Sequence, residues 1–165
     1  RSHGQASYWR DPYTLFGHTL DVTENNGPAH RVLGTFYSRD NRLPEAIREL
    51  REAARLTPVL SQIQRELAEA QFRLGSQDDA LQSIDKAIAL DPQRGDYRHV
   101  RGKILRGLNR GPEAYTAFEK ALDFGLPVDV IPQTYLEMGR IRTLEGEHEK
   151  AIPLFREALN HNPYY

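Results

Sequence analysis

The sequence predicts an all-α solenoid of antiparallel helix pairs that repeat along the chain. Three Ala-containing segments with helix-forming residues end alike, each closed by a proline, at Pro58, Pro92 and Pro163. The first two prolines lie 34 residues apart, a period typical of stacked helical hairpins. Small and aliphatic residues recur between them at helical spacing, and prolines and acids stand where helices would begin.

The predicted segments follow from this period. They are, in order, a leader (1–10), a half-repeat capping helix (11–26) and four repeats of one solenoid domain (27–60, 61–94, 95–128 and 129–165). We expect the leader to derive in part from a cloning tag. In the half-repeat, Asp11 would cap the helix and Pro12 would take its first position. Phe16 and Leu20 would then cover the apolar side of the first full repeat, with Trp9 packed beside them.

Each repeat places the same residue classes at the same spacing, with small residues where two helices must approach closely. The first and second repeats carry His30, Leu33, Gly34, Tyr37, Ala46, Leu50, Ala53 and Gln64, Leu67, Ala68, Gln71, Ala80, Ile84, Ala87. The third and fourth carry Arg98, Arg101, Gly102, Leu105, Ala114, Phe118, Ala121 and Tyr135, Met138, Gly139, Arg142, Gly146, Ala151, Phe155, Ala158. The second repeat keeps its small and aliphatic positions but lacks aromatic ones.

Turn signals agree with the repeat frame. Proline followed by an acid, or a run of N-cap residues, predicts that helices start near residues 44, 78 and 112. The third and fourth repeats are offset by three extra residues, which predicts that the longest interior loop lies at 125–129. Pro153 falls beyond the first turn of the last helix, where it would remove one backbone hydrogen bond and bend the helix mildly.

The four frames resemble the tetratricopeptide repeat family, and with the half-repeat the resemblance covers almost the whole chain. It implies a right-handed superhelix of helical hairpins, and an interaction scaffold rather than an enzyme. Members of this family mostly bind peptides or protein segments along a concave groove lined by the first helix of each hairpin.

A second resemblance lies in residues 5–16, continued by Thr23, Asn25 and Ala29-His30 before Leu33-Gly34. This stretch is similar to the junction at which bacterial multi-span membrane proteins related to protein mannosyltransferases pass into a C-terminal tetratricopeptide region. It implies an alternative function, the soluble accessory domain of a glycosyltransferase-like membrane protein that presents acceptor proteins. Under that alternative the repeats would be periplasmic or otherwise extracytoplasmic; without it, a cytoplasmic location stays open.

In the family, positions two, five, nine, twelve and thirteen of each repeat line the groove. Carried onto this sequence, these five positions of the four repeats give a basic stripe with seven Lys or Arg residues and the two acids Glu69 and Asp96, a formal charge of +5. Its expected ligand contacts are Arg31, Arg39, Arg65, Phe72, Arg73, His99, Lys103, Arg106, Leu136 and Arg140. The stripe predicts a protein or peptide partner rich in carboxylates, since guanidinium groups match carboxylates with two parallel hydrogen bonds. A simpler interpretation is that Glu69 and Arg73 pair along one helix and that long basic side chains solvate the surface.

The carboxylate clamp of chaperone-binding members is not reproduced, because Thr35, Glu66, Asp96 and Val100 stand at four of its five positions. A chaperone-tail receptor is therefore disfavoured.

Other chemistries find little support. The chain has no cysteine, and none of its six histidines pairs with another at i, i+4, so we expect no metal site. No nucleophile elbow or phosphate loop occurs, so we expect no catalytic residue and no cofactor. A net charge of −1 and a single stacking aromatic residue in the stripe disfavour nucleic-acid binding. No apolar run is long enough to span a membrane, so we expect no direct membrane contact.

The C-terminal edge has no polar capping helix in the sequence. Solenoids usually need one, so we expect the apolar side of the last hairpin, around Met138, Ile141, Phe155 and Leu159, to be partly exposed. Such an edge would favour self-association.

Overall fold

The computed structural model describes residues 12–23 and 25–162, and these residues form nine α-helices and no strand. The helices are α1 (Pro12–Val22), α2 (Gly27–Arg39), α3 (Leu43–Leu56), α4 (Ser61–Leu74), α5 (Gln77–Leu90), α6 (Gly95–Gly107), α7 (Gly111–Asp123), α8 (Ile131–Leu144) and α9 (His148–His161). Asp11, Trp9 and most of the 5–16 stretch lie outside the described residues.

The chain divides into two compact units, one ending at Leu90 and one beginning at Asp91. In the first unit α1 packs against α2, the pairs α2/α3 and α4/α5 form hairpins, and α3 joins them by packing against α4. In the second unit α6/α7 and α8/α9 form hairpins, and α7 packs against α8. Connections of two or three residues within each hairpin make its helices antiparallel. The predicted all-α hairpin architecture is confirmed.

Helix starts agree with the sequence signals to within one residue, at Leu43, Gln77 and Gly111. The loop between α7 and α8, residues 124–130, is the longest between described helices and contains the predicted 125–129. These starts are predictable because a proline within the first turn needs no backbone N–H there, and first-turn acids favour the positive end of the helix dipole.

A left-handed residue closes each hairpin turn, because a short connection must reverse the chain sharply. Asn41, Gly75, Asn109 and Gly146 have φ of 59°, 90°, 57° and 78°. Glycine adopts this conformation without steric cost, and asparagine is among the few other residues that visit it routinely. The two asparagines therefore adopt in the first and third repeats the left-handed conformation that glycine adopts in the second and fourth.

Glycine in the first helix of a hairpin lets a large side chain of the second helix press against its backbone. A Cβ added at Gly34 would lie 2.8 Å from Leu50 Cγ, one at Gly102 2.6 Å from Phe118 Cε1, and one at Gly139 2.5 Å from the Phe155 ring. Leu50 and Phe118 have no exposed surface. This close approach is the physical reason for the small residues that the repeat frame requires.

Aromatic contacts fasten α1 to the first hairpin. The Tyr13 ring stacks on Tyr37 with centroids 4.9 Å apart, and Phe16 lies 6.0 Å from Phe36. The Arg42 guanidinium sits 4.5 Å from the centre of the Tyr37 ring, a cation–π contact that also holds the turn between α2 and α3.

The expectation of an exposed C-terminal edge is wrong for two of its four residues. Met138 and Ile141 are only 3% and 2% exposed. They lie on the side of α8 that packs within the second unit, between α7 and α9, so no further helix is needed to cover them. Phe155 is half-buried, and the exposed apolar residues of this hairpin are Ile152, Leu159 and Leu144, of which Ile152 and Leu159 lie on α9.

Candidate functional site

Two predicted groove cations of the first unit are already paired with acids. Arg31 on α2 donates two hydrogen bonds to Glu66 on α4, from Nε at 2.9 Å and from a terminal nitrogen at 2.6 Å. Arg65 donates to Glu69, one turn further along α4, at 2.7 Å. Glu66 lies outside the five groove positions of the family, so its charge was not counted in the stripe. The first unit therefore presents less positive charge than its sequence suggested.

The other two predicted groove cations of this unit, Arg39 and Arg73, contact neutral groups. Arg73 donates to the carbonyl and hydroxyl oxygens of Ser38, at 2.8 and 2.9 Å, and to Asn41 Oδ1 at 3.1 Å. Its expected partner Glu69 accepts instead from Arg65, so the proposed i, i+4 pair of Glu69 and Arg73 is wrong. Arg39 lies 5.5 Å from the centre of the Phe36 ring. Arg73 thus joins α4 to the turn between α2 and α3.

In the second unit, predicted groove residues of α6 and α8 do come together. They surround a depression of about 210 Å³ between the first helices of the two hairpins. Its lining residues are His99, Lys103, Gln133, Leu136, Glu137 and Arg140. We call it the α6/α8 pocket. Four of its six residues were among the predicted ligand contacts, and the sequence reasoning missed Glu137.

Charge in the α6/α8 pocket is only partly compensated. Glu137 lies 2.8 Å from Arg106 Nε and 3.2 Å from an Arg140 terminal nitrogen. The Arg106 contact is an ion pair without a well-aligned hydrogen bond, since neither of its atoms finds a hydrogen-bond partner. Lys103 is exposed and has no acid partner among the described residues. Three cations therefore surround one carboxylate.

His99 contributes a neutral ring to this pocket. Its Nδ1 lies 2.9 Å from Thr134 Oγ1, and that hydroxyl donates its own proton to the Val130 carbonyl at 2.9 Å. The hydroxyl must therefore accept, so His99 carries its proton on Nδ1 and leaves Nε2 as an acceptor. Burial, and to a smaller extent the positive charge of Lys103, lower the pKa of His99 to about 4, although the carboxylate of Asp96 acts in the opposite direction.

A second depression of about 360 Å³ adjoins the end of α8 in the same unit. Its lining residues are Arg106, Asn109, Gly111, Pro112, Ile141, Leu144 and Glu145. Leu144 is 84% exposed there. Arg106 borders this depression and pairs with Glu137 of the α6/α8 pocket, so the two surfaces are neighbours along α8.

Neither a metal centre nor a membrane span is found in the part of the chain that the structure describes. No group of three or more His, Cys, Asp or Glu side chains there could hold a metal ion. No described helix is long and apolar enough to cross a bilayer.

Stacked helical hairpins with small-residue contacts, and with polar surfaces on their first helices, define a helical-repeat scaffold of the kind that binds other proteins. Two models of the Tetratricopeptide repeat match this chain, over residues 31–95 and 134–163. The chain therefore contains tetratricopeptide repeats, as its sequence frames predicted.

Similarity to curated proteins is distant. BBSome complex member BBS4 of Bos taurus is 23% identical over 132 residues, which cover 80% of this chain and 25% of that protein. The protein of the same name from Mus musculus is 22% identical over the same length. The chain thus spans about a quarter of the length of these curated relatives.

Solved structures are similar in fold. A crystal structure of MamA has a TM-score of 0.83 at 21% identity, with 90% of this chain and 85% of that chain covered. MamA from residue 41 to its end, from Desulfovibrio magneticus RS-1, has a TM-score of 0.84 at 13% identity, covering 97% and 90%. YrrB, described as a TPR protein with an unusual peptide-binding site, has a TM-score of 0.74 at 16% identity, covering 90% and 75%. Identities this low show the fold alone.

Proposed function

We propose that this chain is a protein-interaction scaffold whose α6/α8 pocket binds a carboxylate-bearing polypeptide segment. The observation that carries the proposal is Lys103, an exposed cation without an acid partner in the described chain, at a pocket that Arg140 also lines. A peptide-binding site on YrrB, which shares the fold, supports a polypeptide as the class of ligand.

Each lining residue has a distinct task in this proposal. Lys103 supplies a compact positive charge, while Arg140, with its side chain 58% exposed, can offer a planar fork to a carboxylate. Leu136 offers apolar surface to the ligand's side chains. Nε2 of His99 accepts a hydrogen bond from a ligand N–H. Gln133 and Arg140 are seven residues apart on one helix, about 10 Å, which suits about three residues of extended chain.

Arg31 and Arg65 contribute less in this proposal than the α6/α8 pocket does. Each would have to exchange an intramolecular carboxylate for one of the ligand, so little free energy would be gained. Arg39 and Arg73 have no carboxylate partner among the described residues, but Arg73 also donates hydrogen bonds to Ser38 and Asn41. Reversing the charge of Arg73 would disturb the turn it fastens, which makes it a poor test of binding.

The test uses Lys103→Glu/Arg140→Glu in the full chain, with a fluorescein-labelled hexaglutamate peptide as the probe. Fluorescence anisotropy at low salt should show binding weakened about tenfold or more, because two exposed charge contacts of up to about 1 kcal/mol each become repulsive. Binding by the unaltered chain should also weaken as salt rises, since the Debye length falls from about 30 Å at 0.01 M to about 10 Å at 0.1 M.

Lys120→Glu is the matched control, because Lys120 is exposed on α7 and does not line the pocket. It changes the net charge by the same amount as each single substitution. The proposal is wrong if Lys103→Glu alone, which changes the net charge by the same amount, binds the peptide as tightly as Lys120→Glu does. Circular dichroism should show equal helicity in all variants, since exposed charges contribute little to stability.

A further inference from the structure

The first unit also has a polar depression, which lies on the opposite side of α4 from the predicted basic stripe. It lies between α3 and α5 with α4 as its floor, and has a volume of about 360 Å³. We call it the outer groove; its lining residues are Arg51, Ala54, Arg55, Gln64, Leu67, Gln71, Asp79, Gln82, Ser83 and Lys86. At 100° per residue, Gln64, Leu67 and Gln71 share a face of α4 that points away from Arg65 and Glu69.

Buried polar groups form the floor of the outer groove. Gln71 and Ser83 are only 3% and 6% exposed. The Ser83 hydroxyl donates to Gln71 Oε1 at 2.8 Å, which fixes the orientation of the amide. The Gln71 Nε2 donors then have no partner among the described residues. The buried unpaired side-chain atoms of the described residues are Arg106 Nε and Glu137 Oε2, so Gln71 Nε2 keeps contact with solvent, where a ligand acceptor can take the place of water.

The depression exists because a glutamine replaces an aromatic residue of the repeat frame. Gln71 occupies in the second repeat the position that Tyr37 occupies in the first. The Tyr37 ring packs against the apolar core of this unit. The glutamine side chain is smaller and polar, so the same place in the second repeat is left open and lined with donors.

Positive charge borders this floor from two helices. Arg51 on α3 is 59% exposed and lies 3.4 Å from Asp79, the long end of an ion-pair distance. Arg55 is held by Glu52 at 2.6 Å. Lys86 on α5 is exposed and has no acid partner in the described ranges. Lys86 is therefore the cation available to an incoming anion, while Arg51 would have to exchange the Asp79 carboxylate for one of the ligand.

We propose that the outer groove is a second docking surface, which takes an acidic polypeptide segment in extended conformation. Carboxylates of the segment contact Lys86 and Arg51, and a main-chain carbonyl accepts from Gln71 Nε2. Gln64 and Gln71 are seven residues apart, so the floor is about 10 Å long, which is room for about three extended residues and more than a single small anion needs. This surface is independent of the α6/α8 pocket.

The experiment localises bound hexaglutamate by a nitroxide label on the peptide, read out as paramagnetic broadening of backbone amide signals of the full chain. Amides of Arg51, Gln82 and Lys86 should broaden. Gln71→Tyr restores the ring of the repeat frame, fills the groove without changing charge, and should abolish broadening there. Lys86→Glu should weaken binding at this surface about fivefold, whereas Lys120→Glu should leave it unchanged.

The outcomes separate this surface from the proposed function. The outer groove is supported if the amide signals of residues 82–86 still broaden in Lys103→Glu/Arg140→Glu but no longer broaden in Gln71→Tyr. This result does not depend on whether the peptide also binds the α6/α8 pocket. Broadening confined to residues 99–103 and 136–140 would overturn it. Equal loss of the outer signals in Lys120→Glu would show non-specific attraction, and displacement by millimolar inorganic phosphate would show a small-anion site; either result also overturns the proposal.

Discussion

Gly102→Ala tests whether close helix contact holds the second unit together. The added Cβ would lie 2.6, 2.7 and 2.9 Å from three atoms of the Phe118 ring. Carbon atoms in proteins pack best at about 3.5–4.0 Å, so the ring would have to move by most of an ångström. Phe118 has no exposed surface, and His99 packs against its ring with centroids 5.5 Å apart, which leaves little room for that movement.

Two effects of opposite sign determine how much Gly102→Ala changes the free energy of unfolding. Alanine gains about 1 kcal/mol over glycine in a helix interior. Overpacking a filled core costs about 1–3 kcal/mol and occasionally more. Because three ring atoms are affected at once, we expect the upper part of that range, and a net loss of about 1–2 kcal/mol. For a chain of this size that corresponds to a melting temperature lower by about 2–8 °C.

The assay is thermal and urea unfolding followed by circular dichroism at 222 nm. Gly17→Ala in α1 is the control, since a Cβ there meets nothing within 4 Å, and it should be neutral or stabilising. Phe118→Leu should recover part of the loss when combined with Gly102→Ala, because the smaller side chain makes room for the new methyl group. If Gly102→Ala melts at or above the temperature of the unaltered chain, the close-contact argument is refuted.

Two further predictions concern pH and turn chemistry. The folded-state pKa of His99, about 4, lies below its ordinary value of 6.5, so the unfolded chain binds more protons between these pH values. Stability from this group should therefore fall as pH drops from 6.5 towards 4, by at most about 1.4 kcal/mol per pH unit, and His99→Gln should flatten that part of a melting-temperature profile. Asn109→Ala should destabilise by about 1–2 kcal/mol in urea unfolding, because alanine is strained at a φ of 57°, whereas Asn109→Gly should be close to neutral; equal effects of the two would contradict the turn argument.

The fold was predictable because its signals are local and periodic. Proline in the first turn, acids beside it and a closing proline mark helix ends within a few residues of sequence. Gly34 and Gly102 mark contacts whose partners, Leu50 and Phe118, stand at a fixed distance along the same hairpin. Such contacts recur with the repeat, so a period found in the sequence locates them.

The burial of Met138 and Ile141 was not predictable by the same reasoning. The helical face that each residue occupies follows from the frame, but which side of α8 is covered depends on how α7 and α9 pack against it. A repeat pattern gives the contacts within a hairpin more reliably than the surface left at its edge. On the last helix Leu159 is exposed as expected, and Ile152 is exposed although it was not among the residues expected.

The net charge of the predicted basic stripe also depends on contacts that the repeat pattern does not give. Glu66 and Glu137 each directly follow a predicted ligand contact, Arg65 and Leu136, and lie beside the positions that the family resemblance selects. Each reaches a cation of the preceding repeat, Arg31 in one case and Arg106 in the other. The formal charge of +5 was summed over the groove positions of each repeat. It omits these two acids, because they lie outside the groove positions and pair with cations of a neighbouring repeat. Lys103 has no acid within ion-pair distance among the described residues, and this is why we propose the pocket that it lines as the binding site.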